Sequence, residues 1–174
     1  MIAIIKHPTG NHKSNIRNRN LNMIFGVEFK ELVTHYDERG YFREVIRTTD
    51  PFFNGAFGQW SHAKSFQGSA KAWHVHAKQT DWWYCPIGIV KCALYDTRAD
   101  SPTFRDLDEF FLGESDAGRV VKIPPGVAHG YKVVEGPAHL FYLTSSVYDP
   151  ADEGRIPHDA PEIGYDWTKG PAIK

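Results

Sequence analysis

Four side chains of metal-ligand type stand at short spacings in two segments of the chain. His74 and His76 lie two residues apart, so on a β-strand both rings point to the same face. Asp81 follows after four intervening residues, and His129 lies in a second segment, "GRVVKIPPGVAHG". Three imidazoles and one carboxylate suit a divalent first-row metal such as Fe, Mn, Ni or Zn, with positions open for a substrate. The alternative is that these histidines line a polar cavity and act as acid, base or hydrogen-bond donor.

Glycines and prolines surround these four donors at regular distances. Segments 68–88 and 118–129 each begin with a glycine, and they follow one another in the order and spacing of two known motifs. They resemble the two signature motifs of the cupin superfamily, with Asp81 where cupins usually carry Glu and Val133 where they usually carry Asn. Two motifs in the right order form a more specific signal than an isolated His-x-His.

The segments that carry and surround these donors are predicted to be short β-strands. "VEFKELV", "YFREVIR", 89–96, 118–124 and 138–148 mix β-branched and aromatic residues with charged ones. Gly and Pro interrupt them at short intervals, and no segment keeps an apolar period of 3.6 residues over four turns. This pattern is typical of an all-β sandwich or barrel. The cupin resemblance implies that residues 23–174 form a double-stranded β-helix, that is, a jelly-roll barrel.

The remaining features narrow the class of protein. Residues 1–22 are Asn-rich and basic, and we predict a flexible N-terminal arm or a segment that orders on a partner subunit. A net charge of −1 gives no drive toward nucleic acid or membrane, and we expect neither as a partner. The apolar run at the start is too short for a signal peptide or a membrane span, so we expect a cytoplasmic protein. Cys85 and Cys92 are predicted to be free thiols.

From Asp37 to Trp167 the chain resembles the dTDP-4-dehydrorhamnose 3,5-epimerase family of cupins. "DERGYF", "DTRADSPTF", "IPPGVAHGY" and "FYLTSSVYDPADEG" match family segments and occur in family order. The resemblance implies a homodimer in which strands are exchanged between subunits. It also implies a nucleoside diphosphate 4-keto-6-deoxy sugar as the substrate and no required cofactor.

The resemblance assigns roles to individual residues. His74 would abstract the proton beside the ketone to give an enolate, and Tyr142 would return a proton from the opposite face, so that the carbon inverts. Strand alternation places Leu140, Tyr142 and Thr144 on one side, which could be the cavity side, although a tyrosine buried in the core is the alternative. The groups that would hold the nucleotide and sugar are Arg39, Phe42, Glu44, Gln59, Lys71 and His129.

Five features depart from the family pattern. Asp81 stands where the family has the Lys that stabilises the enolate, Cys92 where it has an interior Asp, and Lys71 where it has an Arg. The family's late Asp, which orients the catalytic His, has no counterpart, so we predict that His74 lacks this carboxylate partner. His76 and Asp81 introduce metal ligands where the family has neither, which favours a metal-assisted isomerase.

Three functions are consistent with these observations. The first is an epimerase or ketoisomerase acting on a nucleotide-linked keto-sugar. The second is a metal-dependent cupin of another reaction class, such as an oxygenase or a small-acid isomerase. The third is a non-catalytic sugar-binding cupin. We rank the epimerase first because its resemblance covers most of the chain, although a fold alone does not establish a function.

Overall fold

The computed structural model describes residues 23–114 and 118–169, and the predicted arm over residues 1–22 lies outside them. Within these ranges the chain forms ten β-strands and no α-helix, which confirms the all-β prediction. The strands are β1 (Glu28–Glu31), β2 (Thr34–Asp37), β3 (Gly40–Arg43), β4 (Gln59–Ser65), β5 (Ala70–His76), β6 (Asp81–Asp96), β7 (Leu107–Gly113), β8 (Arg119–Ile123), β9 (Val127–Thr144) and β10 (Glu153–Arg155). The described part of the chain contains no helix that could span a membrane.

Two long strands, β6 and β9, organise the main sheet. They pair with each other antiparallel along most of their length, and every other strand of this sheet except β1 and β10 pairs with one of them. The strand order is β1-β8-β6-β9-β5-β10, with β4 paired to β9 and β7 paired to β6. The register of the β6–β9 pair shifts between Tyr84 and Val90, where the ribbon bends. Gly88 has a positive φ of 74° there, and a Cβ atom would lie 2.6 Å from the Glu135 carbonyl oxygen, so only glycine fits this bend.

Strand burial follows the position of each strand in the sheet. β6 is buried along nearly all of its sixteen residues because neighbouring structure covers both of its faces. β4 instead alternates between covered and exposed residues, as expected for a strand with one face toward solvent. Trp83, Leu94 and Leu140 belong to the main hydrophobic cluster between the sheet faces.

Cys85 and Cys92 are both buried on β6, and neither forms a disulfide, as predicted. Burial raises the pKa of the Cys85 thiol to about 12. The thiol is therefore protonated and unreactive near neutral pH.

Strands β2 and β3 form a separate two-stranded sheet, the β2–β3 hairpin. Among the described strands it pairs only with itself, and Tyr36, Tyr41 and Phe42 on it are all more than half exposed. A lone hairpin is marginally stable in water, so exposed aromatic side chains at this place are notable.

The corner after β6 is formed by the "DTRADSPTF" segment. The Asp96 side chain is fully buried, and the Arg98 guanidinium donates to both of its carboxylate oxygens at 2.8 Å. The hydroxyls of Ser101 and Thr103 donate to the same carboxylate at 2.6 and 2.7 Å. We call this group the Asp96 corner.

Candidate active site

A cavity of about 280 Å³ opens between β4, β5, β6 and β9. Its volume is close to the lower end of ordinary small-molecule pockets, about 300–1,000 Å³. Side chains with acid–base or ligand chemistry gather on its wall. They include His74, His76, Asp81, His129, Tyr142 and Gln59.

Strand alternation explains why these side chains share the cavity. His74 and His76 are two residues apart on β5, so both point to the cavity face, as the sequence predicted. Leu140, Tyr142 and Thr144 all line the cavity from β9, which is the side that alternation had suggested.

Three of the four predicted metal ligands converge. His76, Asp81 and His129 each offer a ligand atom, and these atoms all lie within 4.8 Å of one another. Asp81 and His129 are each only 4% exposed. We call these residues the two-His-one-Asp cluster. His74 does not belong to it, so the structure brings three of the four predicted ligands together.

Hydrogen bonds hold the cluster in place. Nδ1 of His129 lies 2.9 Å from the Val127 carbonyl oxygen, which makes Nδ1 the protonated nitrogen and leaves Nε2 facing Asp81 at 3.8 Å. Gln79 Nε2 donates to Asp81 Oδ1 at 2.7 Å, and Trp83 Nε1 donates to Oδ2 at 3.2 Å. Burial lowers the pKa of His129 to about 4, so its imidazole is neutral at pH 7.

His74 has a carboxylate partner of its own. Its Nδ1 lies 3.1 Å from Oε1 of Glu153, and the Arg155 guanidinium lies 2.9 Å from the same carboxylate oxygen. Strand β10 pairs antiparallel with β5, which sets Glu153 opposite His76 and diagonal to His74. The prediction that His74 lacks a carboxylate partner is therefore wrong. Burial lowers the pKa of His74, and the nearby Glu153 carboxylate opposes this shift.

Gln59 and Lys71 also line the cavity, from β4 and β5. Gln59 Nε2 donates to the Ser61 hydroxyl at 2.8 Å, and Gln59 Oε1 accepts from the Tyr148 backbone N–H at 3.1 Å. Gln59 is thus oriented before any ligand arrives, whereas the exposed Lys71 side chain is positioned mainly by its strand.

The other three predicted substrate-binding residues lie outside the cavity of their own chain. Arg39 and Phe42 sit on the exposed β2–β3 hairpin, and the Arg39 side chain is 82% exposed and paired with Asp37. Glu44 follows the hairpin and pairs with Arg47. Since the hairpin makes strand pairs only within itself, one chain alone does not bring these residues to His74.

Sequence reasoning did not single out several residues of the cavity wall. These are Gln79, Trp83, Tyr131, Tyr148 and Glu153. Gln79 stands between His76 and Asp81 in the first motif, and Glu153 closes the "YDPADE" match. Either position could have been noticed, but no sequence pattern shows that Glu153 meets His74.

The fold and the cavity together define a cupin-type jelly-roll barrel with acid–base side chains on its interior wall. The family model described as dTDP-4-dehydrorhamnose 3,5-epimerase matches residues 22–174. The chain belongs to this family of nucleotide-sugar epimerases and isomerases.

Individual relatives agree with this assignment. The spore coat polysaccharide biosynthesis protein SpsL of Bacillus subtilis is 44% identical over 149 residues, covering 84% of this chain and 97% of that protein. A dTDP sugar isomerase of Desulfovibrio desulfuricans has a similar structure, with a TM-score of 0.79, 30% identity, and coverage of 84% of this chain and 94% of that one. An epimerase of Legionella pneumophila, in complex with dTDP-4-keto-L-rhamnose, has a TM-score of 0.74 and 26% identity and covers 85% and 81%.

Proposed function

We propose that this protein epimerises a nucleotide-linked 4-keto-6-deoxy sugar by removing a proton from a carbon beside the ketone. One observation carries the proposal: a His–Glu pair, His74 with Glu153, and Tyr142 line the same cavity. The complex of the Legionella relative with dTDP-4-keto-L-rhamnose supports the substrate class.

His74 is the base in this proposal. A proton beside a ketone is weakly acidic, so its removal needs a base whose pKa lies near the working pH. Glu153 accepts the Nδ1 proton of His74, which leaves the lone pair of Nε2 available to the substrate. Glu153 therefore acts as a positioning residue that selects the tautomer and orients the ring.

Tyr142 is the acid that completes the inversion. Inversion requires that the proton return from the face opposite to the one it left. Tyr142 lies on β9 and His74 on β5, so the two groups reach the cavity from different strands. The phenol hydroxyl can donate this proton when the enolate collapses.

Isotope exchange tests this mechanism. In D₂O, with dTDP-4-keto-6-deoxy-glucose, the wild-type protein is expected to incorporate deuterium beside the ketone, as measured by mass spectrometry. His74→Asn should lower the exchange rate at least about 100-fold, the lower range of general-base effects. Tyr142→Phe should retain exchange while losing inversion. Glu153→Gln should slow exchange, and Glu153→Asp should restore part of the rate.

The proposal fails if the wild-type protein shows no exchange with a panel of keto-sugars carrying dTDP or other nucleotides. It also fails if His74→Asn keeps the wild-type rate. Ligand binding without any exchange would instead favour a sugar-binding cupin.

We further propose a homodimer in which the β2–β3 hairpin of one subunit reaches the cavity of the other. Arg39, Phe42 and Glu44 would then meet the substrate in the partner's site. The exposed aromatic side chains of the hairpin support this arrangement, since Tyr36, Tyr41 and Phe42 each remain more than half exposed. An apolar groove of about 440 Å³ that includes the exposed Phe57 and Trp60 offers a further surface for a second subunit.

Subunit mixing tests the exchange of hairpins. Arg39→Ala/Phe42→Ala and His74→Asn proteins should each be inactive as homodimers. Unfolding and refolding them together should recover about one quarter of the wild-type activity, since half of randomly paired dimers are mixed and each then has one intact site. If dimers that are shown to be mixed recover no activity, the hairpin serves the cavity of its own subunit instead.

A further inference from the structure

We infer that His76, Asp81 and His129 bind one divalent first-row metal ion in the cavity wall. The three residues come from two separate motifs and from β5, β6 and β9, yet their ligand atoms lie within 4.8 Å of one another. Two imidazoles and one carboxylate on one side of an ion leave its other positions open, which is the arrangement of many metal sites that also bind substrate. The binding of the ion does not depend on the proposed sugar, but its role in catalysis rests on the proposed function.

Hydrogen bonds from the surroundings already orient the ligand side chains of the cluster. A metal-binding histidine usually donates its second N–H to a carbonyl or carboxylate, and His129 Nδ1 faces the Val127 carbonyl at 2.9 Å in this way. Asp81 is held by Gln79 and Trp83, which act on different carboxylate oxygens. The ligands therefore need little rearrangement to coordinate.

The charge of Asp81 is the second argument. This carboxylate is 4% exposed, and its two hydrogen-bond donors are neutral. Among the described residues, no lysine or arginine forms an ion pair with it, whereas buried Lys91 has Glu109 at 3.2 Å. A buried charge without a counter-charge is costly, and a divalent cation would supply that counter-charge.

His74 remains outside the metal site, and this separation is chemically useful. Its Nδ1 is engaged by Glu153, so the ring can serve as a base while the three ligands hold the ion. When bound, the ion would supply Lewis acidity toward the enolate oxygen. This would replace the lysine of the family, because Asp81 alone would repel an enolate.

Metal binding should be measured directly, without substrate. The full-length protein, without a histidine tag, is stripped with a chelator, dialysed and titrated with Co²⁺ and Zn²⁺. Bound Co²⁺ is followed by its visible absorption and by calorimetry, and zinc content by elemental analysis. We expect one ion per chain. His76→Gln and Asp81→Asn should each weaken binding more than about 100-fold, since even outer-sphere partners are worth about 10- to 100-fold.

Two matched variants make the outcome specific. His62 and His139 form an exposed pair, with Nε2 and Nδ1 2.9 Å apart, that could bind metal by itself. His62→Asn removes this pair and should leave the stoichiometry of one ion unchanged. His74→Asn should bind metal within about threefold of wild type while losing isotope exchange, because His74 is a base rather than a ligand.

The inference is overturned if metal is sub-stoichiometric with Co²⁺, Zn²⁺, Mn²⁺, Ni²⁺ and Fe²⁺. It is equally overturned if binding survives both His76→Gln and Asp81→Asn or disappears in His62→Asn. Circular dichroism of the metal-free variants confirms that each is folded. Isotope exchange by protein shown to be metal-free would leave the epimerase proposal standing and remove the catalytic role of the ion, whose binding is decided by the titration. One bound ion per chain without exchange on any keto-sugar would confirm the metal site, remove the epimerase proposal and favour another metal-dependent reaction.

Discussion

Two buried aspartates stand at the two ends of the same strand, and their surroundings are opposite in kind. Asp96 ends β6 and has a full set of partners: a guanidinium that contacts both oxygens, and two hydroxyls. Asp81 begins β6 and receives hydrogen bonds from one amide and one indole, with an imidazole 3.8 Å away. Both carboxylates are at most 4% exposed, so burial does not distinguish them.

The two carboxylates differ in how their buried charge is compensated. The partners of Asp96 lie within seven residues of it and form a closed local network. Asp81 lies in the wall of the cavity, where no lysine or arginine among the described residues forms an ion pair with it. Four measurements test whether the two carboxylates differ in this way.

The largest effect is expected from Asp96→Asn. The substitution removes the ion pair and leaves the half-buried Arg98 without its carboxylate, so the free energy of unfolding should fall by about 3 kcal/mol. Urea denaturation measures it. Asp100→Asn, an exposed position in the same turn, is the matched control and should change stability by less than about 0.5 kcal/mol. Equal effects of the two substitutions would contradict a structural role for Asp96.

Acid should weaken the same corner selectively. Burial raises the pKa of Asp96, but hydrogen bonds from Arg98, Ser101 and Thr103 outweigh it and hold the pKa well below its usual range. A lowered pKa gives stability that is complete above the unfolded value of about 3.9 and is lost as pH falls below it. The stability difference between wild type and Asp96→Asn should therefore stay constant from pH 6 to about pH 4 and shrink as the pH falls further toward pH 2. A difference that is constant with pH would show that the carboxylate charge is not responsible.

A smaller effect is expected from Thr103→Val, which removes one of the hydroxyls at the Asp96 corner. The loss of a hydrogen bond to a buried carboxylate should lower the free energy of unfolding by about 1–2 kcal/mol. Arg98 and Ser101 still compensate the charge, so the cost stays below that of Asp96→Asn. Thr103→Ser, which keeps the hydroxyl, should recover most of the loss in the same urea titration.

The smallest effect on stability is expected from Asp81→Asn in metal-free protein. This substitution removes a buried charge that has no lysine or arginine partner among the described residues, so stability should change by less than about 1 kcal/mol. Denaturation in the presence of a chelator measures it. A loss as large as that of Asp96→Asn would mean that Asp81 is required for folding rather than for the site.

The sequence predicted the fold class and most of the cavity wall, and the reasons are local. The spacing of His74 and His76 needs only the alternation of a strand, and so does the shared side of Tyr142 and its neighbours. "DTRADSPTF" was recognised as a family segment, but its physical role became clear only when its side chains closed on Asp96. The structure brings three of the four predicted metal ligands together and not His74, because strand alternation gives a shared face and not a shared partner.

The sequence itself therefore predicted an all-β chain with two histidine-bearing motifs. Residue types, their order and the two-residue period of strands were enough for this prediction. Which groups meet was decided by pairing between distant strands, because a side chain's partners depend on the register of strands remote in sequence. Strand β10 carries Glu153 to His74, and the β6–β9 pairing closes Asp81 against His129. The tertiary structure thus placed His74 beside a carboxylate of its own and brought His76 and His129 together with Asp81.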